Sequence, residues 1–312
     1  MKGTSESSQG QVSDTEEFVS VVVPTRNRAA RLLQSLRSLS EQDYPRDCFE
    51  IVVVDNGSTD DTTQIVGQEA RRIDHPTVRL VREGTRGLNR ARNAGIAAAS
   101  GDPICFVDDD IEAPPGWLRA MVAGVHRHPN GGCYGGPINL LLEGKVPRMC
   151  GEEELGETEL DLGGEEHAVG AVWGANMTIT KAAIARCGLF DERIEIYGDE
   201  EEWERRLMSA GGSIFYLPDA WLWHRRSAEE LRVSSLLISR FRRGRHGVRS
   251  SRLLQSQISA KEDLRAGFRF LLHGLRRRCA WGFLAASCRF GRVYELVADD
   301  LISMSGRTHN GS

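Results

Sequence analysis

The chain has 312 residues, of which 40% are hydrophobic and 27% are charged, enough for one large domain with an ample core, alone or with an appendage. A net charge of −4 argues against a nucleic-acid-binding protein. No apolar run approaches the roughly 20 residues that a membrane-spanning helix needs, so no transmembrane helix is expected.

The N-terminal segment and the cysteines give the first expectations about location. The opening MKGTSESSQGQVSDTEE is polar and acidic and lacks the pattern of a signal peptide, so residues 1–17 are predicted to be a disordered tail. The seven cysteines are scattered and never in CxxC spacing, which argues against a disulfide framework or a zinc site and for a reducing, cytoplasmic compartment. We therefore expect all of them to be small semi-buried or buried hydrophobes: Cys48, Cys105, Cys133, Cys150, Cys187, Cys279 and Cys288.

The first half of the chain alternates short β-branched runs with helical patterns. A helix capped by Ser58 or Thr59 is expected between the second and third of these runs, and a helix opened by Pro114 and Pro115 is expected after the fourth. Continuous apolar strands separated by helices predict an α/β fold with a doubly wound, mostly parallel sheet. The predicted strands are residues 19–23, 51–54, 78–81 and 104–107.

The second half is less regular. Residues 140–168 are rich in Glu and Gly and are predicted to be a long insertion or mobile loop. Order is expected to return at 171–180, followed by a helix over 199–210 and a strand over 213–217. From residue 228 onward the pattern is helical and Arg-rich. The predicted units are an α/β domain over 18–227, with halves at 18–110 and 111–227, and a helical region over 228–312.

Polar clusters follow three of the predicted strands. They are Pro24-Thr25-Arg26-Asn27-Arg28, Asp55-Asn56-Gly57-Ser58-Thr59-Asp60 and Asp108-Asp109-Asp110. Ligands of open α/β sheets bind beyond the carboxyl ends of the strands, so these clusters predict one binding edge. The sequence has no GxGxxG after the first strand, no GxxxxGK[ST] and no GxSxG, which argues against a dinucleotide fold, a P-loop and a nucleophile elbow.

The acidic triplet indicates a divalent cation site. Adjacent carboxylates repel one another, and hard cations prefer such oxygen ligands together with substrate phosphates. An isolated triplet is more often a solvated turn that caps the next helix. Its position directly after Ile-Cys-Phe-Val, at the binding edge, favours the cation.

These segments together resemble glycosyltransferase family 2. VSVVVPTRNR, EIVVVDNGSTDDT and RGLNRARNAGIAAASGDPICFVDDD resemble its nucleotide-binding half, and GANMTITKAAIARCGLFDER and YGDEEEWERRLMSAGGSIFYLPDAWLWH continue the likeness. The resemblance runs from about Val19 to His224 and implies a GT-A fold, an inverting hexosyltransferase-type enzyme, and Mn²⁺ or Mg²⁺ as cofactor. The Gln-x-x-Arg-Trp motif of processive members is missing, so a non-processive enzyme is favoured.

The resemblance also implies roles for individual residues. Asp55 would accept a hydrogen bond from the base, plausibly from a uracil N–H, which makes a UDP-sugar the favoured donor. His224 is either a further metal or phosphate contact or a lone surface histidine. The implied metal ligands are Asp110, Asp108 and His224, and the implied nucleotide contacts are Pro24, Thr25, Arg26, Arg28, Asp55, Asn56, Arg92, Asp108 and Asp109.

The catalytic base is expected in the segment Gly198-Asp199-Glu200. Many family members read Gly-Glu-Asp here, with Asp as the base, so Glu200 takes the base position and Asp199 is its neighbour. Glu200, Trp203 and Leu207 share one helical face, and desolvation beside Trp and Leu is expected to raise the pKa of Glu200. Glu201 and Arg205 are expected to form a surface pair. Acids in a first helical turn also complement the helix dipole, which is the alternative reading.

The predicted reaction moves a sugar from a nucleotide diphosphate sugar to the hydroxyl of a glycan, a lipid-linked sugar or a small molecule, in one displacement. A sugar-nucleotide-forming nucleotidyltransferase is disfavoured, since PTRNR is not a Gly-rich, Lys-containing loop. The reversed Asp-Glu order leaves a non-catalytic sugar-nucleotide or membrane-surface binding module as the alternative.

The C-terminal region carries an Arg cluster and an apolar helical stripe. One interpretation is peripheral contact with the inner membrane face near a lipid-linked acceptor. Another is that the arginines meet an anionic acceptor or the donor diphosphate. We favour a helical cap packed on the α/β domain, because such stripes are usually core. The stripe is Phe268, Leu271, Leu272 and Leu275, and the basic residues are Arg240, Arg242, Arg243, Arg245, Arg249 and Arg276–Arg278.

Overall fold

The structure is a computed structural model that describes residues 16–73, 75–150, 158–194, 199–253 and 258–307. Most of the predicted disordered tail, residues 1–15, lies outside these ranges, as does the middle of the predicted insertion, residues 151–157.

The first half has the predicted alternation of strands and helices, and the elements start and end within a few residues of the predicted positions. The elements are β1 (Val19–Thr25), α1 (Ala29–Ser40), β2 (Phe49–Asp55), α2 (Thr62–Glu69), β3 (Thr77–Arg82), α3 (Leu88–Ala98), β4 (Ile104–Val107), β5 (Ile111–Glu112) and α4 (Trp117–Arg127).

The second half adds short strands and ends in long helices. The elements are β6 (Cys133–Gly135), β7 (Ile138–Glu143), β8 (His167–Val169), β9 (Asn176–Ile179), α5 (Lys181–Cys187), α6 (Asp199–Ser209), β10 (Ile214–Tyr216), β11 (Leu222–Ser227), α7 (Val233–Leu253), α8 (Ala260–Arg277) and α9 (Ala280–Arg307).

The main sheet has eight strands in the order β3-β2-β1-β4-β9-β6-β10-β8. The strands β3, β2, β1 and β4 are parallel, β9 runs antiparallel to β4 and β6, and β8 runs antiparallel to β10. Thr25 at the end of β1 pairs with Asp55 at the end of β2, so the loops that follow these strands leave the sheet side by side. The predicted α/β fold with a mostly parallel sheet is confirmed.

Both faces of the central strands are buried, as their unbroken apolar runs predict. Val21, Val23 and Val53 belong to one core with α1 and α4. Val22 and Val52 belong to the other core, with Ala91 of α3 and Trp203 and Leu207 of α6. The period-two alternation along β1 therefore divides one valine run between two cores.

A second, three-stranded sheet in the order β5-β11-β7 lies next to the binding edge. β11 is antiparallel to β5 and parallel to β7, and it pairs His224 with Ile111, the residue after the acidic triplet. This pairing contributes His224 to the edge from a distant part of the sequence.

The predicted insertion and one helix start differ from the structure. Residues 140–143 and 167–168 are not a loop, because β7 extends to Glu143 and pairs with β11 along its whole length, and β8 pairs with β10. The helix expected to start at Ser58 or Thr59 starts at Thr62, and the side chain of Asp60 accepts the hydrogen bond from the Thr62 amide.

The C-terminal helices pack on one another and on the small sheet. Leu231, Leu236 and Leu284 form a small core, against which Leu140 and Leu142 of β7 pack. The amide of Ala280 donates to the Arg148 carbonyl at 2.8 Å, which joins the segment after β7 to the start of α9. Within the described ranges, no helix combines the length and apolar character that crossing a bilayer requires.

The favoured interpretation of the α8 stripe as core is wrong for three of its four residues. Phe268, Leu272 and Leu275 are exposed, although they recur at helical spacing. The face of α8 that packs on α9 instead contains Gly267 and Gly274, whose small size lets the phenyl rings of α9 approach.

The expectation that every cysteine is unpaired is also wrong. Cys150 and Cys279 form a disulfide across 129 residues of sequence, and His273 Nε2 lies 3.1 Å from the Cys150 sulfur. Disulfides are uncommon in reducing compartments. The spacing rules could not reveal this pair, because each half lies in a different segment and the contact is tertiary.

Thiol titration checks this disulfide. We expect five reactive thiols in unfolded, unreduced protein and seven after reduction, since five cysteines are free. The Cys150→Ser variant should give six thiols after unfolding without reductant, because it removes one cysteine and frees Cys279. Seven thiols in unreduced wild-type protein would contradict the pairing.

Candidate active site

The loops after β1 and β2 are joined by hydrogen bonds between their backbones and short polar side chains. The Asn56 amide donates to the Thr25 carbonyl at 3.0 Å. Asn27 adopts a left-handed conformation with φ of 54°, which Asn tolerates better than most residues. Its amide donates to Ser58 Oγ at 2.9 Å, and its side-chain oxygen accepts from the Thr59 amide at 2.7 Å. The two loops therefore form one rigid wall.

The predicted nucleotide contacts in this wall fall into two groups. Asp55 and Asn56 are buried and shape the loop: Asp55 accepts from the Ser58 amide at 2.8 Å, and Asn56 donates to the Thr85 carbonyl at 2.8 Å. Pro24 is half-buried at the end of β1, and Arg26 is exposed on the following loop.

The three carboxylates of the triplet have different environments. Asp109 accepts hydrogen bonds from Thr25 at 2.7 Å and from Arg28 at 3.0 Å, so it braces the first loop. Burial raises the pKa of Asp109 to about 6, against the opposing effect of Arg28. Asp108 and Asp110 lie instead with His224.

Asp108, Asp110 and His224 form the candidate metal centre. His224 Nε2 lies 2.8 Å from Asp110 and 3.6 Å from Asp108, and one donor atom from each residue falls within 4.8 Å of the others. Two carboxylate oxygens and an imidazole nitrogen suit Mn²⁺ and similar divalent ions. The residues therefore fit such an ion, and His224 is not a lone surface histidine, since it is buried.

Electrostatics couple the three groups. Burial opposes ionisation of Asp110, but His224, Arg28 and Arg226 hold its pKa well below the usual range. Burial acts to lower the pKa of His224, but Asp110 raises it above the ordinary histidine value. Burial raises the pKa of Asp108, which also responds to the charges of His224, Asp110, Arg92 and Glu200.

Sequence reasoning missed two arginines in this cluster. Arg226 Nη1 lies 3.1 Å and Arg31 Nη1 lies 3.8 Å from the Asp110 carboxylate, beside the predicted Arg28 at 2.9 Å. Arg226 is two residues after His224 on β11, so the strand period places both on one face. That spacing was the available signal. Arg31 lies one turn into α1, and only the fold brings it to Asp110.

Arg92 and Glu200 form the second half of the site. Arg92 extends from α3, is buried, and donates from Nη2 to Glu200 Oε1 at 2.9 Å, with its guanidinium 5.4 Å from the centre of the Phe190 ring. The Gly174 amide donates to the same oxygen at 3.1 Å. A Cβ at Gly174 would collide with the ends of the Arg92 and Glu200 side chains, so any larger residue there would displace this ion pair.

The deeply buried carboxyl of α6 is Glu204, one turn after Glu200. Trp203 and Leu207 are fully buried as predicted, but the side chain of Glu200 keeps 20% of its exposure, whereas Glu204 is almost fully buried. Glu200 is therefore partly desolvated, and Glu204 is the more deeply buried acid of α6. Among the described side chains of α6, the i, i+4 ion pair joins Glu202 to Arg206 rather than Glu201 to Arg205. The side chain of Asp199 lies outside the described set.

Burial raises the pKa of Glu204 to about 8, and the charge of Glu200 adds to this, against a hydrogen bond from the Val172 amide. The second carboxyl oxygen of Glu204 is buried without a hydrogen-bond partner. Local pattern does not distinguish Glu204 from the other acids of α6, because its burial arises from tertiary contacts such as the one with the Val172 amide.

Comparison with known proteins identifies relatives of this chain in sequence and in fold. The model of the family described as "Glycosyl transferase family 2" matches residues 20–186, more than half of the chain. Glycosyltransferase AglE of Haloferax volcanii is 25% identical over 221 residues, which span 67% of this chain and 67% of that protein. Validoxylamine A glucosyltransferase of Streptomyces hygroscopicus subsp. jinggangensis is 30% identical over 252 residues, 71% of this chain and 59% of that protein.

Among solved structures, the mannosyltransferase PcManGT of Pyrobaculum calidifontis, in complex with GDP-Man and Mn²⁺, superposes with a TM-score of 0.59 at 21% identity. The superposition covers 95% of this chain and 81% of that one. At this identity the likeness shows the fold, which is GT-A.

The pKa of Glu204 predicts a pH-dependent penalty on stability. The unfolded carboxyl ionises near pH 4.5 and the folded one near 8, so stability falls as pH rises between these values and then levels off. We expect Glu204→Gln to be more stable than wild type at pH 8.5 by a few kcal/mol, with a smaller difference at pH 5. Urea unfolding at both pH values measures this.

The matched control is Glu201→Gln on the exposed face of the same helix, which should change stability little at either pH. A Glu204→Gln effect that is equal at pH 5 and pH 8.5 would show that ionisation of Glu204 is not its cause.

Proposed function

The chain belongs to glycosyl transferase family 2, a family of glycosyltransferase enzymes, and we propose on that premise that it moves a sugar from a nucleotide diphosphate donor to an acceptor hydroxyl. One observation carries the proposal: the triad Asp108, Asp110 and His224 lies within electrostatic reach of the Glu200–Arg92 pair. A site for the donor diphosphate and a site for deprotonating an acceptor are therefore neighbours. The curated relatives described above are matched over about 59–67% of their length, so the activity of the whole chain is part of the proposal.

The donor diphosphate is proposed to bind at the triad. Asp108, Asp110 and His224 would hold Mn²⁺ or Mg²⁺, which supplies neutralisation of the charge that develops on the departing diphosphate. Arg28 is 42% exposed along its side chain, so its guanidinium is both anchored by Asp109 and Asp110 and open to solvent. This arrangement suits an arginine that also contacts a phosphate oxygen.

The nucleoside is proposed to bind along the wall formed by the loops after β1 and β2. Pro24 and Thr25 end β1, Arg26 follows it, and Asp55 pairs with Thr25 in the sheet register, so one ligand can reach all of them. Asn56 and Asp109, also proposed as nucleotide contacts, support this wall through their own hydrogen bonds. UDP is the preferred nucleotide, because Asp55 would accept a hydrogen bond from a uracil N–H.

Glu200 is proposed as the general base. Its Oε1 accepts hydrogen bonds from Arg92 and from the Gly174 amide, so the carboxylate is held in one orientation before the acceptor binds. It takes the proton from the acceptor hydroxyl as the oxygen attacks the anomeric carbon from the side opposite the diphosphate. One such displacement inverts the configuration, so an α-linked donor gives a β-linked product.

The proposed catalytic unit is residues 18–227, and the acceptor class is a glycan, a lipid-linked sugar or a small-molecule hydroxyl, glycosylated once per encounter. The alternative, a non-catalytic sugar-nucleotide binding module, is favoured by the reversed order of Asp199 and Glu200 in the sequence. The two interpretations differ in one property: the enzyme turns over donor and acceptor and needs Glu200 to do so, whereas the binding module has no turnover.

Nucleotide binding tests the metal centre. We expect one of UDP, dTDP, GDP and CDP to raise the melting temperature in Mn²⁺ but not in EDTA, and UDP is the expected one. Asp108→Asn should weaken this binding at least about tenfold, because it removes one charged ligand. Binding should also be weaker at pH 6 than at pH 8, since the raised pKa of His224 lets a proton compete with the metal.

Asp108 is preferred to Asp110 for this test, because removing Asp110 would leave Arg28, Arg226 and His224 without their buried counter-ion. The exposed Asp47→Asn serves as the matched control and should bind like wild type. No shift with any nucleotide, or full binding by Asp108→Asn, would contradict the assignment.

Turnover tests the base. With the donor found above and a panel of acceptor hydroxyl compounds, we expect Glu200→Gln to lower kcat by about 100-fold or more while the nucleotide still binds. Glu201→Gln, exposed one residue further along α6, should keep wild-type kcat. Unchanged kcat in Glu200→Gln would move the base elsewhere.

A further inference from the structure

α8 exposes a row of large apolar side chains. Leu264, Phe268, Leu272 and Leu275 are exposed by 41%, 54%, 51% and 59%. Their spacing of four, four and three residues places them in one stripe along the helix. Contiguous apolar surface of this kind on a protein marks an interaction site more often than it marks chance.

The leucines of the stripe lie off the face by which α8 packs on the protein, and Phe268 borders that face, with its ring centre 5.6 Å from that of Phe290 on α9. Asp263, Gly267 and Gly274 are buried, the two glycines lie against Phe290 and Phe283 of α9, and Asp263 pairs with Arg289. At about 100° per residue, the stripe is centred roughly a quarter turn or more around the helix from this packed face. Helix packing therefore accounts for the glycines and leaves the leucines in solvent.

A basic row runs beside the stripe. Lys261, Arg265, Arg269 and Arg276 are exposed, and each lies within one turn of a stripe residue. Of the two acids in α8, Asp263 is buried and paired, which leaves Glu262 as the exposed acid. The net charge of the whole chain is −4, so this exposed positive charge is a local feature of the C-terminal region.

We propose that α8 binds the surface of a bilayer that carries anionic lipids. The apolar stripe would insert at the level of the acyl boundary, and the basic row would meet the lipid phosphates, an arrangement that anchors without spanning. A second copy of the chain is a poorer occupant, because a two-fold contact through the stripe would place the basic row of one copy against the basic row of the other. A bilayer with anionic headgroups supplies the opposite charge.

This attachment would act on the site through the small sheet. α9 packs with Leu140 and Leu142 of β7, β7 pairs with β11, and β11 carries His224. The Cys150–Cys279 disulfide ties the segment after β7 to the α8–α9 junction. A bilayer under α8 would therefore hold the half formed by residues 111–227 near lipid, which favours a lipid-linked acceptor. This last step rests on the proposed function, whereas membrane binding does not.

Vesicle co-sedimentation tests the proposal with the full chain. The probes are vesicles of phosphatidylcholine alone and of phosphatidylcholine with 30 mol% phosphatidylglycerol, without nucleotide. We expect partition into the anionic vesicles at least about tenfold stronger than into the neutral ones, and weaker partition in 0.5 M NaCl because salt screens the basic row.

Two paired variants separate the apolar and the charged parts. Leu272→Ser with Leu275→Ser should lower partition at least about tenfold, and Ile73→Ser, at a residue 87% exposed on the α/β domain, is the matched control that should not. Arg265→Glu with Arg269→Glu should abolish the preference for anionic vesicles, whereas Arg46→Glu with Arg71→Glu, both exposed on the α/β domain, should keep it.

Thermal melts and the nucleotide shift are measured on every variant and should match wild type, because all substituted side chains are exposed and lie outside the proposed donor site. These readouts keep membrane binding and the proposed function distinguishable. The proposal is overturned if wild type fails to partition into anionic vesicles or if the α8 variants partition like wild type. It is also overturned if the chain is a dimer that Leu272→Ser with Leu275→Ser dissociates, since the stripe would then be a subunit interface.

Discussion

The buried carboxylate of Asp110 is the interaction on which the rest of the site depends. An ionised carboxylate that is 1% exposed is costly unless cations surround it, and four cationic side chains do so here. Arg28 arrives from the loop before α1 and Arg31 from α1, and His224 and Arg226 arrive together on β11. Satisfying one charge therefore joins the loop after β1 to β11 of the small sheet, and Asp110 and His224 also belong to the candidate metal centre.

Much of this architecture could be predicted from local pattern. The valine runs of β1 and β2 and the acidic triplet after β4 each carry their meaning within a few residues, and the end of a parallel strand dictates where its polar residues gather. The middle aspartate shows the limit of such reasoning. Nothing local distinguishes Asp109 from its neighbours, yet strand geometry turns its side chain toward Thr25 and Arg28 and makes it a brace.

The features that pattern did not reveal are those created by contacts between distant segments. Arg31 acquires its role from the packing of α1 near β11, and Cys150 acquires its partner from the α8–α9 junction. Glu204 is buried because Val172 and its neighbours cover that turn of α6. The apolar stripe of α8 was predicted to be buried but is largely exposed. Helical spacing predicts that its leucines share a face, but only the fold decides whether another element covers that face.

The pairing of Asp110 with His224 spans 114 residues of sequence. During synthesis, β1 to β4 leave the ribosome well before β11, so the parallel core can form while the imidazole that completes the metal centre has not yet been made. A nascent or prematurely terminated chain that ends before β11 would carry the acidic triplet without His224 and Arg226. Under the proposed function, donor capture would then be a property of the finished domain, and incomplete chains would not sequester the nucleotide sugar.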